Sequence, residues 1–250
     1  MIVRILTDKE TLAGEAAAQA AAVIRDAVRE QGSARIVVAT GNSQVAMMAK
    51  LVTMPDVPWN KVEAFHLDEY VGLPATHPAS FRLWIRTRFE EKVRPRVVHY
   101  LEGDSPRLEA ELERYSSLLA EAPLDLAFIG IGENGHIAFN DPPVADFQDP
   151  KRVKVVPLDE MCRRQQVGEG HFPDLASVPR EALSFTCPQL MAARTLISSV
   201  PDLRKATAVR DALEGPLSTA CPASLLRVHR DATLYLDPES ASKLSPVWRS

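Results

Sequence analysis

The sequence predicts an α/β fold: a three-layer, mostly parallel, Rossmann-like sheet with helices on both faces. Three observations predict it. Short apolar runs rich in Val, Ile and Leu alternate with helix-like segments along the whole 250-residue chain. Those runs are nearly continuous in apolar character, as in strands covered on both sides. Hydrophobic residues make up 46% of the chain, enough for a sizeable core, which argues against wholesale disorder.

The elements follow in order. IVRILTD (2–8) reads as the first strand, and the alanine-rich stretch 9–31 as a long helix ended by Gly32. RIVVAT (35–40) is a strand and SQVAMMAKLV (43–52) a helix. VEAFHLDEY (62–70) is a third strand and ASFRLWIRTRFEEKV (79–93) a helix. VVHYLEG (97–103) is a strand, followed by a charged helix near 105–121. LDLAFIGI (124–131) is the fifth strand and RVKVVPLD (152–159) the sixth. ARTLISSVP (193–201) precedes a helix DLRKATAVRDAL (202–213), and a short helix and the strand ATLYLD (232–237) close the chain. No repeat, low-complexity tract or long linker divides these elements, so one domain over 1–250 is expected.

Composition narrows the function. With 29 basic and 33 acidic residues the formal net charge is −4, and no basic stripe is present. That argues against nucleic acid as a partner and leaves an anionic small molecule open. Cys162, Cys187 and Cys221 lie far apart and make neither a metal spacing nor a disulfide framework, which fits a reducing cytoplasm. No secretory signal is expected at the N-terminus, and no apolar run approaches the ~20 residues of a membrane helix.

Ligands of open α/β sheets bind outside the carboxyl ends of the strands. Four such ends carry polar residues. In ATGNSQ (39–44), Thr40, Gly41, Asn42 and Ser43 form a tight turn before a helix that Ser43 can cap. Free N–H groups and the helix dipole make this an anion site, or else an ordinary capped turn. In HLDEY (66–70), His66 and Asp68 share a strand face by alternation, as a proton-transfer pair or as a solvated strand end.

The third end is GIGENGHIAFNDPP (130–143), which holds the spacing G-x-G-x-x-G. A dinucleotide fingerprint must open a crossover helix, but Pro142 and Pro143 break any helix here. The dinucleotide reading is rejected. What remains is a sharply bent loop presenting Asn134, His136 and Asp141, with the ingredients of a proton shuttle. The fourth end is DLRKA (202–206). Arg204 and Lys205 fall in a first helical turn, where the dipole disfavours cations unless an anion is bound. Arg204 reads as solvated surface charge, Lys205 less so.

Together, FHLDEYVGL (65–73), HPASF (77–81), GIGENGHIAFNDP (130–142) and ATGNS (39–43) resemble the glucosamine-6-phosphate deaminases. Order and spacing match along most of the chain, through EGPLSTACPASLL (214–226). The paired motifs LDEY and GIGxxGHIAFN are specific together; the related 6-phosphogluconolactonases usually carry a GHTASLF-like string instead. The resemblance implies that Asp68 moves a proton between C2 and C1 of an amino-sugar phosphate. It implies that His136 opens the sugar ring, oriented by Asn134 and Asp141. The Thr40–Ser43 turn and Lys205 would hold the 6-phosphate, and no metal or redox cofactor is implied. Members include monomers and symmetric oligomers, so homo-oligomerisation stays open.

Two departures stand out. Members often have Glu where this chain has Asp141 and Asp where it has Asn134; the shorter Asp141 carboxylate calls for a backbone shift or a water to reach His136. Members also usually present a phosphate-binding arginine in the segment after the sixth strand. Counting without gaps puts Gly168 there, which leaves Arg163, Arg164 or Gln166 to take its part. A sugar-phosphate lactonase is the competing enzymatic reading. A sugar-phosphate sensor is the non-enzymatic one, and it would need a DNA-binding module for which a first strand at residue 2 is expected to leave no room.

Overall fold

A computed structural model describes residues 1–248; Arg249 and Ser250, the end of the expected 1–250 domain, lie outside the described residues. The chain begins with β1 (Ile2–Ile5), α1 (Lys9–Gln31), β2 (Ala34–Val38), α2 (Val45–Leu51) and β3 (Val62–His66). It continues through β4 (Asp68–Tyr70), α3 (Phe81–Ile85), α4 (Glu91–Val93), β5 (Val97–His99), α5 (Leu108–Ala120) and β6 (Leu126–Ile129). The last elements are β7 (Val153–Pro157), α6 (Glu160–Gly168), β8 (Glu181–Phe185), α7 (Cys187–Met191), β9 (Thr195–Val200), α8 (Ala206–Glu214) and β10 (Ala232–Leu236).

Seven strands form one sheet in the order β1-β10-β9-β6-β2-β3-β5, with every pair parallel. This bears out the α/β expectation. The five residues of β2 and of β3 are all buried, as are the six of β9, because helices cover both faces. Long apolar runs were the right signal. From β2 the chain winds outward through β3 to β5; from β6 it returns beside β2 and winds the other way through β9 to β10. The reversal between β2 and β6 opens a crevice at their carboxyl ends.

Helix α1 shows how local chemistry sets an element. The Asp8 carboxylate accepts the Thr11 N–H at 2.7 Å and caps the N-terminus; Gly32, at φ 80°, closes the C-terminus on the Val28 carbonyl. Between the caps, Ala13, Ala16, Ala17, Ala20, Ala21 and Ala27 line one buried face, small enough for the helix to lie close to the sheet.

The structure corrects the expected elements in several places. The strand read over 62–70 breaks at Leu67: β3 stays in the large sheet, and β4 crosses into a second sheet, antiparallel to β8. The strand read over 152–159 is β7, which also pairs antiparallel with β8 and does not join the parallel sheet. The order β4-β8-β7 makes a three-stranded companion sheet. Its core, with Tyr70, Phe81, Phe139, Leu158, Cys162 and Phe172, is separate from the main one. Strand β8 was not read from the sequence. The helix read over 79–93 contains a wide π turn at Arg86–Glu90 between α3 and α4. Ser43 does not cap a helix; it sits inside a 3₁₀ turn, Asn42–Gln44, that leads into α2. Lys205 likewise ends a 3₁₀ turn, Leu203–Lys205, ahead of α8.

Candidate active site

The crevice at the strand reversal is a cleft of about 380 Å³. The turn after β2 supplies Thr40, Gly41, Asn42 and Ser43, and the start of β4 supplies Asp68. The loop after β6 supplies Gly132 and His136, and the turn after β9 supplies Asp202, Arg204 and Lys205. Residues 165–171 at the end of α6 close one side with Gln165, Gln166, Glu169 and His171. The expected site residues therefore meet in one place, with Asn134 and Asp141 held directly behind His136.

Asp68 is buried, at 7% exposure, yet lines the cleft. No donor among the described residues hydrogen-bonds its carboxylate. Burial, with the neighbouring Glu69 adding to it, pushes its pKa up to about 8. Glu69 points elsewhere and has a structural task. It accepts hydrogen bonds from the Ser80 hydroxyl at 2.8 Å and from the backbone N–H groups of Tyr70 and Arg82 at 2.9 Å. Tyr70 is a core residue whose hydroxyl donates to Gln166 Oε1 at 2.7 Å. In the run LDEY, then, one carboxylate faces the ligand space and the other fastens the chain.

His66 does not join Asp68. The alternation ends where the strand breaks at Leu67, and the His66 ring is fully buried outside the cleft lining, its Nδ1 accepting the Leu101 N–H at 3.4 Å. Burial, then the charge of Arg82, lowers its pKa to about 3, so the ring stays neutral.

The glycines of the loop after β6 serve the histidine. The Gly132 N–H donates to the His136 carbonyl at 2.9 Å, which folds the loop back on itself. A β-carbon on residue 132 would stand 2.2 Å from Cε1 of the His136 ring, so the imidazole lies against bare backbone. Gly135 turns the chain at φ 83°. The Asn134 side chain then acts as a clamp. Its Oδ1 accepts the His136 N–H at 3.1 Å, and its Nδ2 donates to Asp141 Oδ1 at 2.9 Å and to Asp159 Oδ2 at 3.3 Å.

Asp141 Oδ1 lies 2.8 Å from His136 Nδ1, bent away from the ideal hydrogen-bond line. The shorter carboxylate reaches the ring directly, with no intervening water required. Burial pushes the Asp141 carboxyl up, but His136, Asn134 and the Asp159 N–H outweigh it and hold the group below its usual range. Asp141 is thus an anion beside the ring, able to fix its tautomer and stabilise its protonated form. Cys162 completes the one set of donors among the described residues that could hold a metal, its sulfur within 4.8 Å of His136 nitrogen and Asp141 oxygen. Burial pushes that thiol well up.

The far end of the cleft suits an anion. The Thr40 hydroxyl is buried and unpartnered. The Lys205 ammonium is buried at 6% exposure, and burial lowers its pKa. Its nearest carboxylate is Glu169, Oε1 to Nζ 3.9 Å. The turn carrying Lys205 is strained: Asp202, a non-glycine residue, sits at φ 95°, held by its N–H on the Asp237 carboxylate. Arg204 corrects the expectation of a purely solvated charge. It is half-exposed but lines the cleft, paired with Asp202 at 3.3 Å and Glu133 at 3.8 Å.

None of the suggested substitutes for an arginine after the sixth strand stands free to hold a phosphate. Arg163 donates to the carbonyls of Leu175 and Val178, and Arg164 pairs with Glu160 on the surface; neither lines the cleft. Gln166 does, with its carbonyl oxygen engaged by Tyr70. Gly168 does not. Two residues missed in the sequence take the wall, Glu169 and His171. They flank Gly170, at φ 82°, a turn signal directly after a helix that could have marked the spot.

Comparison with known proteins places the chain in a family. The sequence profile of the glucosamine-6-phosphate isomerases/6-phosphogluconolactonase family matches residues 7–235. Glucosamine-6-phosphate deaminase of Pseudarthrobacter chlorophenolicus is 34% identical over 230 residues, 90% of this chain and 87% of that protein. Glucosamine-6-phosphate deaminase 2 of Bacillus subtilis is 33% identical, covering 90% and 91%. Among solved structures, a monomeric glucosamine-6-phosphate deaminase superposes with TM-score 0.90 at 31% identity, over 97% of this chain and all of that one. A 6-phosphogluconolactonase from Shewanella baltica shares the fold at TM-score 0.78 and 16% identity, over 95% and 97%. No helix among the described residues is long and apolar enough to cross a membrane.

Proposed function

The chain belongs to the glucosamine-6-phosphate isomerase/6-phosphogluconolactonase family of enzymes, and from that premise we propose that it converts glucosamine 6-phosphate, or a close amino-sugar phosphate, and water to fructose 6-phosphate and ammonia. One observation carries the proposal: a buried carboxylate with no hydrogen-bond donor among the described residues and a carboxylate-backed imidazole share a single cleft whose far end presents a buried ammonium and an unpartnered hydroxyl.

The Thr40–Ser43 turn and Lys205 hold the phosphate, remote from the reacting carbons, and its binding energy orients the sugar. His136 moves the proton that accompanies cleavage of the bond between C1 and the ring oxygen, giving the open-chain aldehyde. Asp141, fixed by Asn134, keeps the ring tautomer and steadies the imidazolium while the proton is in transit. Asp68 then takes the proton from C2, beside the carbonyl, and returns it to C1. The C2 amine becomes an imine; water adds to it and ammonia leaves. The sequence transfers protons and exchanges one C=N for one C=O, so it has no net redox step. A single catalytic domain carries all of these roles.

Asp68 without a donor supports this reading over lactone hydrolysis, which abstracts no proton from carbon. Purified protein is expected to release ammonium and fructose 6-phosphate in equal amounts from glucosamine 6-phosphate. A folded sample that hydrolyses 6-phosphogluconolactone and leaves the amino sugar untouched would replace the proposal with a lactonase.

The pH profile tests the base. Asp68 must be ionised to accept the C2 proton, and its pKa is raised to about 8. Activity is therefore lost as pH falls through that value, and kcat/KM for the free enzyme should show an acid limb near pH 8. A limb near pH 4 would mean that Asp68 is not the group being titrated.

A further inference from the structure

The anion end of the cleft contains an anion of its own. The Glu169 side chain, 6% exposed, lies beside Lys205 and lines the same cleft. At 3.9 Å their contact is too long for a hydrogen bond, yet among the described residues Glu169 is the one carboxylate within 4 Å of the Lys205 ammonium. The carboxylate is supported by Gln165 Nε2, which donates to Oε1 at 2.7 Å, and by His171 Nε2, 3.5 Å from Oε2. Burial pushes the group up, but His171, Lys205 and Gln165 outweigh it and keep Glu169 ionised. Arg204 also feels this charge, while its closer partners are Asp202 and Glu133. The Lys205 charge is thus neutralised before any ligand arrives.

A phosphate dianion brought to Lys205 would meet that carboxylate in a cleft partly shielded from water, where like charges repel strongly. With the cleft empty, His171, Lys205 and Gln165 favour the ionised form of Glu169 over the effect of burial. Glu169 can relieve the conflict by moving. It follows α6 and precedes Gly170, whose φ of 82° marks a natural pivot. The wall it belongs to is held to the rest of the cleft at a few points, the firmest being the Tyr70 hydroxyl on Gln166 Oε1 at 2.7 Å. Asn42 Nδ2 donates to the Glu169 carbonyl at 3.4 Å, and the Glu133 N–H donates to Gln165 Oε1 at 3.0 Å.

We propose that Glu169 is a resident competitor for the phosphate seat, so that a sugar phosphate binds by displacing the 165–171 wall from Lys205. Glu169 then determines how tightly this protein holds phosphorylated ligands, and the end of α6 is the part that rearranges. The inference rests on the reading of Lys205 as the phosphate seat; it does not depend on which sugar is turned over.

Calorimetric titration with inorganic phosphate tests it without any assay of turnover. Glu169→Gln keeps the size and the Gln165 contact and is expected to bind phosphate about tenfold more tightly than the unaltered chain. Equal or weaker binding by a folded Glu169→Gln would overturn the proposal, and weaker binding would mark Glu169 as a contact for the ligand itself. Hydrogen exchange gives a second readout on the unaltered chain. Amides of residues 160–171 should exchange faster once phosphate is bound, and slower exchange would also overturn it. If phosphate binding tightens in the variant while glucosamine 6-phosphate is never consumed, the inference stands and the proposed reaction falls.

Discussion

Asp68→Asn is expected to lower kcat on glucosamine 6-phosphate by about 10³-fold, the scale at which a positioned general base contributes. The argument lies in what surrounds the carboxylate. It is buried in the cleft lining with no hydrogen-bond donor among the described residues, so its lone pairs are free for a carbon-bound proton. The amide has the same shape and no basicity. Binding should survive, with KM and phosphate affinity changed by less than about threefold, because the loss falls on the transition state alone.

The same substitution carries an internal control for folding. An acid whose pKa is raised on folding binds more protons folded than unfolded, so its ionisation costs stability as pH rises from about 4 to about 8. Removing the charge should therefore raise the melting temperature at pH 8 to 9, with the gain fading below pH 4. A variant that lost activity and also melted lower at pH 8 would indicate a damaged fold rather than a missing base. Full activity in Asp68→Asn would end the assignment.

Gly132→Ala is expected to be nearly as harmful, although it adds one methyl group. The new β-carbon would fall 2.2 to 2.4 Å from three atoms of the His136 ring, so the ring must swing away and lose its contact with Asp141. Misplacing a reacting group by about 1 Å costs on the order of 10²-fold in rate. Because the clash is with a ring that borders open space, the destabilisation should stay at about 1 kcal/mol, the low end for overpacking, and the melting temperature should fall by about 2–4 °C. Gly168→Ala is the matched control: nothing lies within 4 Å of a β-carbon there, and alanine favours the helix. Equal rates for the two alanine variants would show that the imidazole does not depend on bare backbone at residue 132.

Much of the site was legible because its chemistry sits directly after strands. The Thr40–Ser43 turn, Asp68, the Gly130–His136 loop and Lys205 each follow a buried apolar run, and the parallel sheet brings those ends together. The triple-glycine spacing opens no helix: residues 130–152 run as turns and loops, in keeping with Pro142 and Pro143. Other parts left little local mark. VEAFHLDEY carries no Gly, Pro or other turn residue at Leu67 to announce that the backbone changes sheets there; the His66–Asp68 pairing failed for that reason. Strand β8 is five residues long and shows its character only through its partners β4 and β7. Glu169 had one local mark, the turn at Gly170 that follows it; its place in the cleft depends on where a short helix ends against a sheet the sequence did not reveal.

The companion sheet has a consequence for how such a molecule can diversify. Its helix α6 and the wall that follows touch the ligand space without contributing a strand to the main sheet. Substitutions in that wall can alter how firmly a ligand is held, but they are not insulated from the reacting groups: Asp68 opens β4 of the same sheet, and Asp159, which caps α6, also takes a hydrogen bond from Asn134. Grip and reactivity share one scaffold, so a change in either is felt by the other.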